Sequence, residues 1–434
     1  LHTQCPKVKH AVENNHSSVC YFTLCVGAVV QRAIDYLVVR ISGTDTALAK
    51  QTYMRAYENI YLTAGSGNVS FNMNAMVSND FGSSLVTDPE LRISSLLVKV
   101  RKVGGLADLS VGRQFIYAGA AYGLIDGTLL NFRLWDDKIF VTGFGGTNVI
   151  HSRDLKSQWI GDNGMFGGQV VVAPSEQGSV GVSYVNKRKI RKPYNAVRLD
   201  SLFNPQVIVV NSLPLAEELA SFDAEYEFAG RVFVQAKTEF DFDKEDLSKI
   251  QAFTRIKATE CLNATVEYIF REPRVAYNSI FSVFNVNSTK ELEGGLEYRP
   301  TATTFFFARF ANVEYVDENS QRLAIGGTYD LVSATYTQNF GYAGELNGIS
   351  LYAAYPMMER VLTPTLGLGY ASFKHAKEDP SSTVVNANIG VVYRPVQTFS
   401  ADVQLQWMQN PQFSNDVRLF VKCTYWFNEK MNWF

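Results

Sequence analysis

Apolar and polar residues alternate with a period of two through much of the second half of the chain. In residues 220–228, Ala220, Phe222, Ala224, Tyr226 and Phe228 interleave with Ser221, Asp223, Glu225 and Glu227. In 231–242, Val232, Val234, Ala236, Phe240 and Phe242 oppose Arg231, Gln235, Lys237, Glu239 and Asp241. Residues 249–257 set Ile250, Ala252 and Ile256 against Lys249, Gln251, Arg255 and Lys257, and 263–271 set Ala264, Val266, Tyr268 and Phe270 against Thr265, Glu267 and Arg271. Further on, Leu292, Leu296 and Tyr298 oppose Glu291, Glu293 and Glu297, while Val403, Leu405 and Trp407 oppose Asp402, Gln404 and Gln406. The last such segment places Val417, Leu419, Val421, Cys423, Tyr425 and Phe427 on one face and Arg418, Lys422 and Thr424 on the other.

A period of two marks a strand whose faces meet different solvents. No stretch of 12 or more residues carries a 3.6-residue apolar stripe, so no helix is available to cover a sheet. A soluble all-β sandwich would need a second sheet for every apolar face; a closed barrel in lipid needs none. A β-solenoid would show a fixed repeat, and none is evident. The pattern therefore predicts an all-β, transmembrane antiparallel barrel of about 20 strands (range about 18–22), with an even number expected. Several apolar faces end in rings, at Tyr298, Tyr393 and Trp407, as an interfacial girdle would. In the less regular first half, strands are expected at 52–62, 69–79, 92–101, 107–116, 128–135, 138–144, 168–174 and 179–187.

Composition fits this picture. Charged residues are 19%, below the roughly 25% usual in soluble domains, and aromatics reach 13%. A net charge of −2 without a basic run gives no electrostatic footprint for nucleic acid. The five cysteines form no C-x-x-C pair, which leaves zinc-ribbon, thioredoxin-like and haem-attachment sites unsupported; Cys423 reads as a small hydrophobe on an apolar face. The longest apolar run, residues 19–30 after Lys7 and Lys9, suits a signal-peptide core better than a helical span. Residues 1–49 are accordingly expected to be an export signal or sequence ahead of the true start, and 50–434 a single barrel.

Catalytic constellations are scarce. Beyond residue 50 the only histidines are His151 and His375, and no nucleophile elbow, P-loop, zinc-protease or dinucleotide fingerprint occurs. An outer-membrane hydrolase would need one of those histidines paired with a serine. No catalytic residue, metal site or cofactor is expected. The polar faces instead carry charge: Asp223, Glu225, Glu227, Arg231, Lys237, Glu239, Lys249, Arg255, Lys257, Glu267, Arg271, Glu291 and Glu293. Charges in this number need water or one another. Two arrangements meet that need: a structural network in a plugged barrel, or the wall of an aqueous pathway whose opposed acids and bases set a transverse field. Residues 143–168, glycine-rich at both ends and bearing Arg153, Asp154, Lys156 and Asp162, are expected to be either a constriction loop or an extracellular loop.

The chain resembles bacterial outer-membrane porins, specifically the large barrels of metal-respiring deltaproteobacteria. The resemblance rests on Val111, Gly112, Arg113, Gln114 and Phe115 with Gly123, Asp126 and Gly127; on Tyr393, Arg394 and Pro395 before the strand ending at Asn410; and on the terminal aromatic strand. It implies a bacterial outer-membrane location, contact with lipid, and an insertion signal at Tyr425, Phe427 and Phe434 read by the barrel-insertion machinery. It also implies one of two roles: a passive channel for small solutes or ions, or the insulating sleeve of a conduit enclosing a separate multihaem cytochrome. A sleeve would not need an inward constriction.

Overall fold

The structure, a computed structural model, describes residues 27–43, 52–80, 89–149, 159–189, 194–199, 204–210, 215–273, 288–315, 318–341, 345–374, 378–412 and 414–425. The first strands are β1 (Gly27–Gly43), β2 (Thr52–Ser66), β3 (Val69–Asp80), β4 (Glu90–Val103), β5 (Ala107–Ala118) and β6 (Ala121–Leu134). After β7 (Ile139–Asn148) comes a single helical turn, α1 (Ile160–Asn163), then β8 (Gly164–Ser175) and β9 (Gly178–Lys189). A separate hairpin, β10 (Tyr194–Leu199) and β11 (Pro205–Val210), precedes β12 (Leu215–Phe228), β13 (Val232–Asp241), β14 (Asp246–Lys257) and β15 (Leu262–Arg271). The next strands are β16 (Thr289–Thr301), β17 (Thr304–Glu314), β18 (Asn319–Tyr329), β19 (Val332–Phe340) and β20 (Leu346–Ala354). The chain's last strands are β21 (Leu362–Phe373), β22 (Ser382–Val396), β23 (Phe399–Gln409) and β24 (Asn415–Tyr425).

All but β10 and β11 belong to one 22-stranded sheet. Each strand pairs antiparallel with its sequence neighbour, β9 pairs with β12, and β1 pairs with both β2 and β24. The sheet therefore closes into a barrel, at the upper end of the expected strand number. Closure leaves no terminal strand of the sheet unpaired, as lipid favours. Residues 27–43, set apart from the barrel by the sequence pattern, are its closing strand β1, so the expected boundary at Lys50 falls between β1 and β2.

The registers carry the alternation around the wall. Val182 faces Phe222, Ile349 faces Tyr370, Ile389 faces Leu405 and Val391 faces Val403, and these side chains are exposed with Tyr370, Ile389 and Leu405 each beside further apolar partners. Exposed Cys423 lies on the same face. Such an apolar belt is unfavourable in water and at home in hydrocarbon. Phe228, Tyr298, Tyr329, Tyr393 and Tyr425 are exposed near one end of that face, at the end where strands are joined by tight turns such as 67–68, 176–177 and 397–398. This is the aromatic girdle expected of a membrane barrel. Among the described residues no helix is long and apolar enough to cross a membrane, which does not bear on spanning by strands.

Candidate functional site

The face opposite the apolar belt lines the barrel. Because registers pair like with like, Asp223 and Glu225 of β12 adjoin Lys237 and Gln235 of β13, Glu239 adjoins Lys249 of β14, and Lys249 adjoins Arg271 of β15. Glu267 then adjoins Glu293 of β16. Sequence alternation thus places Asp223, Glu225, Glu227, Lys237, Glu239, Lys249, Arg255, Glu267, Arg271, Glu291 and Glu293 on one continuous inner surface. Arg231 departs from this, standing in the β12–β13 turn, and Lys257 turns its ammonium to Glu260 in the next turn (2.9 Å). Both belong to the tight-turn rim. The acids and bases are neighbours along one wall, β12 to β18, and not opposed across the lumen, so the field they set runs around the wall.

Two arginines missed by the sequence pattern complete this wall. Arg322 of β18 spans β17 to bond Glu293 (2.8 Å) and Glu291 of β16. Arg309 of β17 pairs with Glu297 (3.2 Å) and lies 4.0 Å from Glu293. Their alternation with Phe306, Phe310, Leu323 and Ile325 was the available signal. Elsewhere Gln251 donates to Glu267 (2.8 Å), and Arg255 lies over the Phe233 ring at 5.5 Å. Side-chain exposures of 38% for Arg322 and 43% for Arg309 keep these pairs wet, and pairs of that kind contribute only about 0–1 kcal/mol each. Their consequence is a charged surface more than a stability gain.

A hairpin folds into the lumen. β5 pairs with β4 only as far as Arg113 opposite Leu96, and β6 pairs with β7 only from Ile125 opposite Asn148. β5 and β6 nevertheless continue together to Ala118 opposite Ala121. Residues 114–124 therefore leave the wall. Their tip reaches strands far around it: the Ala120 N–H donates to Ser183 Oγ of β9 (2.8 Å), and Lys237 Nζ of β13 donates to the Gly119 carbonyl (2.9 Å). Lys237 also lies 3.1 Å from Glu239 and 3.8 Å from Asp223. In barrel order β13 stands five strands beyond β6 in a 22-stranded wall, so the hairpin is a short chord that cuts off one side of the interior.

One face of the chord explains why it docks. Ile116, Ala118, Ala121 and Ile125 pack with Phe144, Met165, Val185 and Leu219 into a buried cluster. Small residues let the tip approach: a Cβ on Gly119, whose φ is +60°, would lie 2.0 Å from Ser183 Oγ. At the root, buried Arg113 holds Asp126 through two bonds of 2.7 Å and donates to the Ile93 carbonyl (3.2 Å). The bend is at Gly112, with φ +125° and space for no Cβ beside the Leu96 carbonyl (2.2 Å). Gly112→Ala should destabilise the barrel by at least about 1 kcal/mol, seen as a lower urea midpoint for the heat-modifiable band; an unchanged midpoint would remove Gly112 as the bend.

The expected constriction region begins and ends in the wall. Residues 143–148 lie in β7 and 164–168 in β8, Asp162 is exposed in α1, and Arg153, Asp154 and Lys156 lie outside the described residues. Tyr425 ends β24 on the apolar face; Phe427 and Phe434 are likewise outside the described residues. Among the described residues no group of three or more His, Cys, Asp or Glu side chains could hold a metal.

No protein-family model matches this chain, and no curated protein matches it. Among solved structures it is similar to the ferric enterobactin receptor PfeA in complex with BCV-L6, with a TM-score of 0.59 at 9% identity over 93% of this chain and 82% of that one. A PfeA mutant from Pseudomonas aeruginosa gives 0.58 at 10% identity, covering 93% and 81%. OccK3 (OpdO) of Pseudomonas aeruginosa gives 0.44 at 10% identity, covering 92% and 96%. At these identities the PfeA likeness shows a shared β-barrel fold.

Proposed function

We propose that this chain is a bacterial outer-membrane channel giving small hydrophilic or ionic solutes an aqueous passage past a charged wall. The observation that carries this reading is the inturned hairpin inside a 22-stranded barrel. A barrel of that size encloses more space than side chains can fill, and a chord across it narrows the space. The wet ion pairs of β12 to β18 are suited to water-filled surroundings and ill suited to a dry plug. Outer-membrane lipid, the barrel-insertion machinery and the translocated solutes are its proposed partners, with an N-terminal export signal. Single-channel recording in a planar bilayer tests the reading: the purified barrel should carry a stable ionic current without a partner, and a non-conducting barrel would overturn it.

The deltaproteobacterial resemblance keeps a second reading, a sleeve around a multihaem cytochrome. The chord argues for the channel, because an enclosed cytochrome would have to share the lumen with it. Co-purification with a haem protein at fixed stoichiometry would favour the sleeve. Within the channel reading, Lys249 and Arg255 are bases on β14 without an ion pair among the described residues. Lys249→Glu with Arg255→Glu should shift reversal potentials toward cation selectivity; an unchanged reversal potential would take β14 out of the pathway.

A further inference from the structure

The inward faces of β13 and β14 carry two rings among their charges. Phe233 stands directly across from Arg255, and Phe253 directly across from Gln235 on one side and Glu267 on the other. The outward positions of β14 and β15 include exposed Ile256 and Val266, so the rings share the lumen side with Lys249, Arg255 and Glu267. Phe233 and Phe253 lie 6.4 Å apart, tilted by 58°. Both are partly exposed, which leaves apolar surface open to water among ions.

Arg255 and Glu267 meet beside these rings without pairing. Arg255 faces Thr265, so Glu267 is its diagonal neighbour; such positions are about 7–8 Å apart, within reach of side chains as long as these. Yet among the described residues Arg255 forms no ion pair. Its guanidinium lies over the Phe233 ring, 5.5 Å from the centre. The Glu267 carboxylate instead accepts from Gln251 Nε2 at 2.8 Å. The other acids nearby are engaged or turned elsewhere. Glu293, beside Glu267, bonds Arg322 at 2.8 Å, and Glu227, across from Phe233, lies toward the Gly230 turn. Phe253 thus neighbours both a cation and an anion, each with hydrogen-bonding capacity left over.

A ligand matching this arrangement carries an anion, a cation and a flat apolar group. A carboxylate takes the guanidinium fork in two parallel bonds, an ammonium takes the Glu267 carboxylate, and a ring lies on Phe253 or Phe233 in offset or edge geometry. α-Amino acids with aromatic side chains hold all three on one small framework. An aromatic anion or an aromatic amine gains one charged contact and meets a like charge at the other.

Resting on the passage reading above, we propose that Arg255, Glu267, Phe233 and Phe253 form a binding site on the channel wall for zwitterionic aromatic amino acids. Phenylalanine is the probe, with phenylpropionate, which lacks the ammonium, and phenylethylamine, which lacks the carboxylate. Calorimetry on the detergent-folded barrel should show saturable phenylalanine binding, about tenfold or more tighter than either analogue. Glu267→Gln should erase the preference over phenylpropionate, and Arg255→Gln the preference over phenylethylamine. No saturable binding, an analogue bound as tightly as phenylalanine, or variants that weaken all three ligands equally would each overturn the site. The three ligands compared on the unaltered barrel decide the matter even where a variant fails to fold. Calorimetry also keeps site and channel apart: a barrel that binds phenylalanine but carries no current would sink the channel and support the site, and one that conducts without binding would do the reverse.

Discussion

Excising the hairpin tip should raise single-channel conductance several-fold. The variant joins Gln114 directly to Ile125 through an Asn-Gly turn, which suits a two-residue antiparallel connection. It removes residues 115–124 and with them the contacts of the tip with Ser183 and Lys237, while leaving the register pairs of the wall intact, because β4 and β7 pair with β5 and β6 only outside that stretch; the one wall bond lost is that from the Val149 N–H to the Leu124 carbonyl. The physical expectation is that the chord is a standing constriction and not a fluctuating gate. Fully burying Ile116 and Ile125 stabilises the docked state by about 3–6 kcal/mol, so an undocked tip would be a minor population. The wild-type channel should accordingly show a low, steady conductance, and the excised variant a high, steady one. Heat-modifiable mobility on gels checks that the variant still folds. A folded variant with wild-type conductance would show that the hairpin does not limit flow.

How much of this was legible beforehand depends on what each residue faces. From β12 to β16 and again in β22 to β24, every second residue is apolar because it meets lipid, and the alternation yields strands, faces and most of the charged wall directly. The missing pieces failed for different reasons. Arg309 and Arg322 alternate correctly, but the reach of Arg322 across Ala311 to Glu291 and Glu293 is a property of the folded surface and has no trace in any one strand. The first half of β6 was hidden because Ala121, Gly123 and Gly127 weaken the apolar period. The hairpin is the deepest omission. A strand that stays in the wall and one that turns inward share a period of two, and only the partners differ: Ile116 and Ile125 meet Met165, Val185 and Leu219 from distant strands. The run of small residues from Ala118 to Ala121 was the available hint, since lipid-facing strands have no reason to be so thin. The two ends of residues 143–168 misled in the opposite direction, because glycines at 143, 145, 146, 167 and 168 look like loop and serve instead as close-packed strand in β7 and β8.

Two neighbouring residues of β23 offer the sharpest test of the membrane reading. Val403 is exposed on the apolar face, opposite Val391 and Val421, while Gln404 faces inward between Gly390 and Phe420. Both sit near the middle of the strand, so they share a depth in the bilayer and differ only in direction. Val403→Lys places an ammonium in hydrocarbon and should cost about 2–4 kcal/mol at mid-depth. Gln404→Lys places the same charge on the watered lining and should cost much less, leaving its mark on ion selectivity. Reversible urea unfolding in lipid vesicles measures both. The comparison is internally controlled, because the introduced side chain, its charge and the strand are the same at both positions. If the two substitutions destabilised equally, or if Gln404→Lys were the worse, the apolar belt would be packed against protein and the barrel would not span a bilayer in the manner described. A large penalty confined to position 403 requires hydrocarbon on that side and water on the other, which is the condition under which the hairpin and the ionic wall of β12 to β18 bear on passage through the lumen.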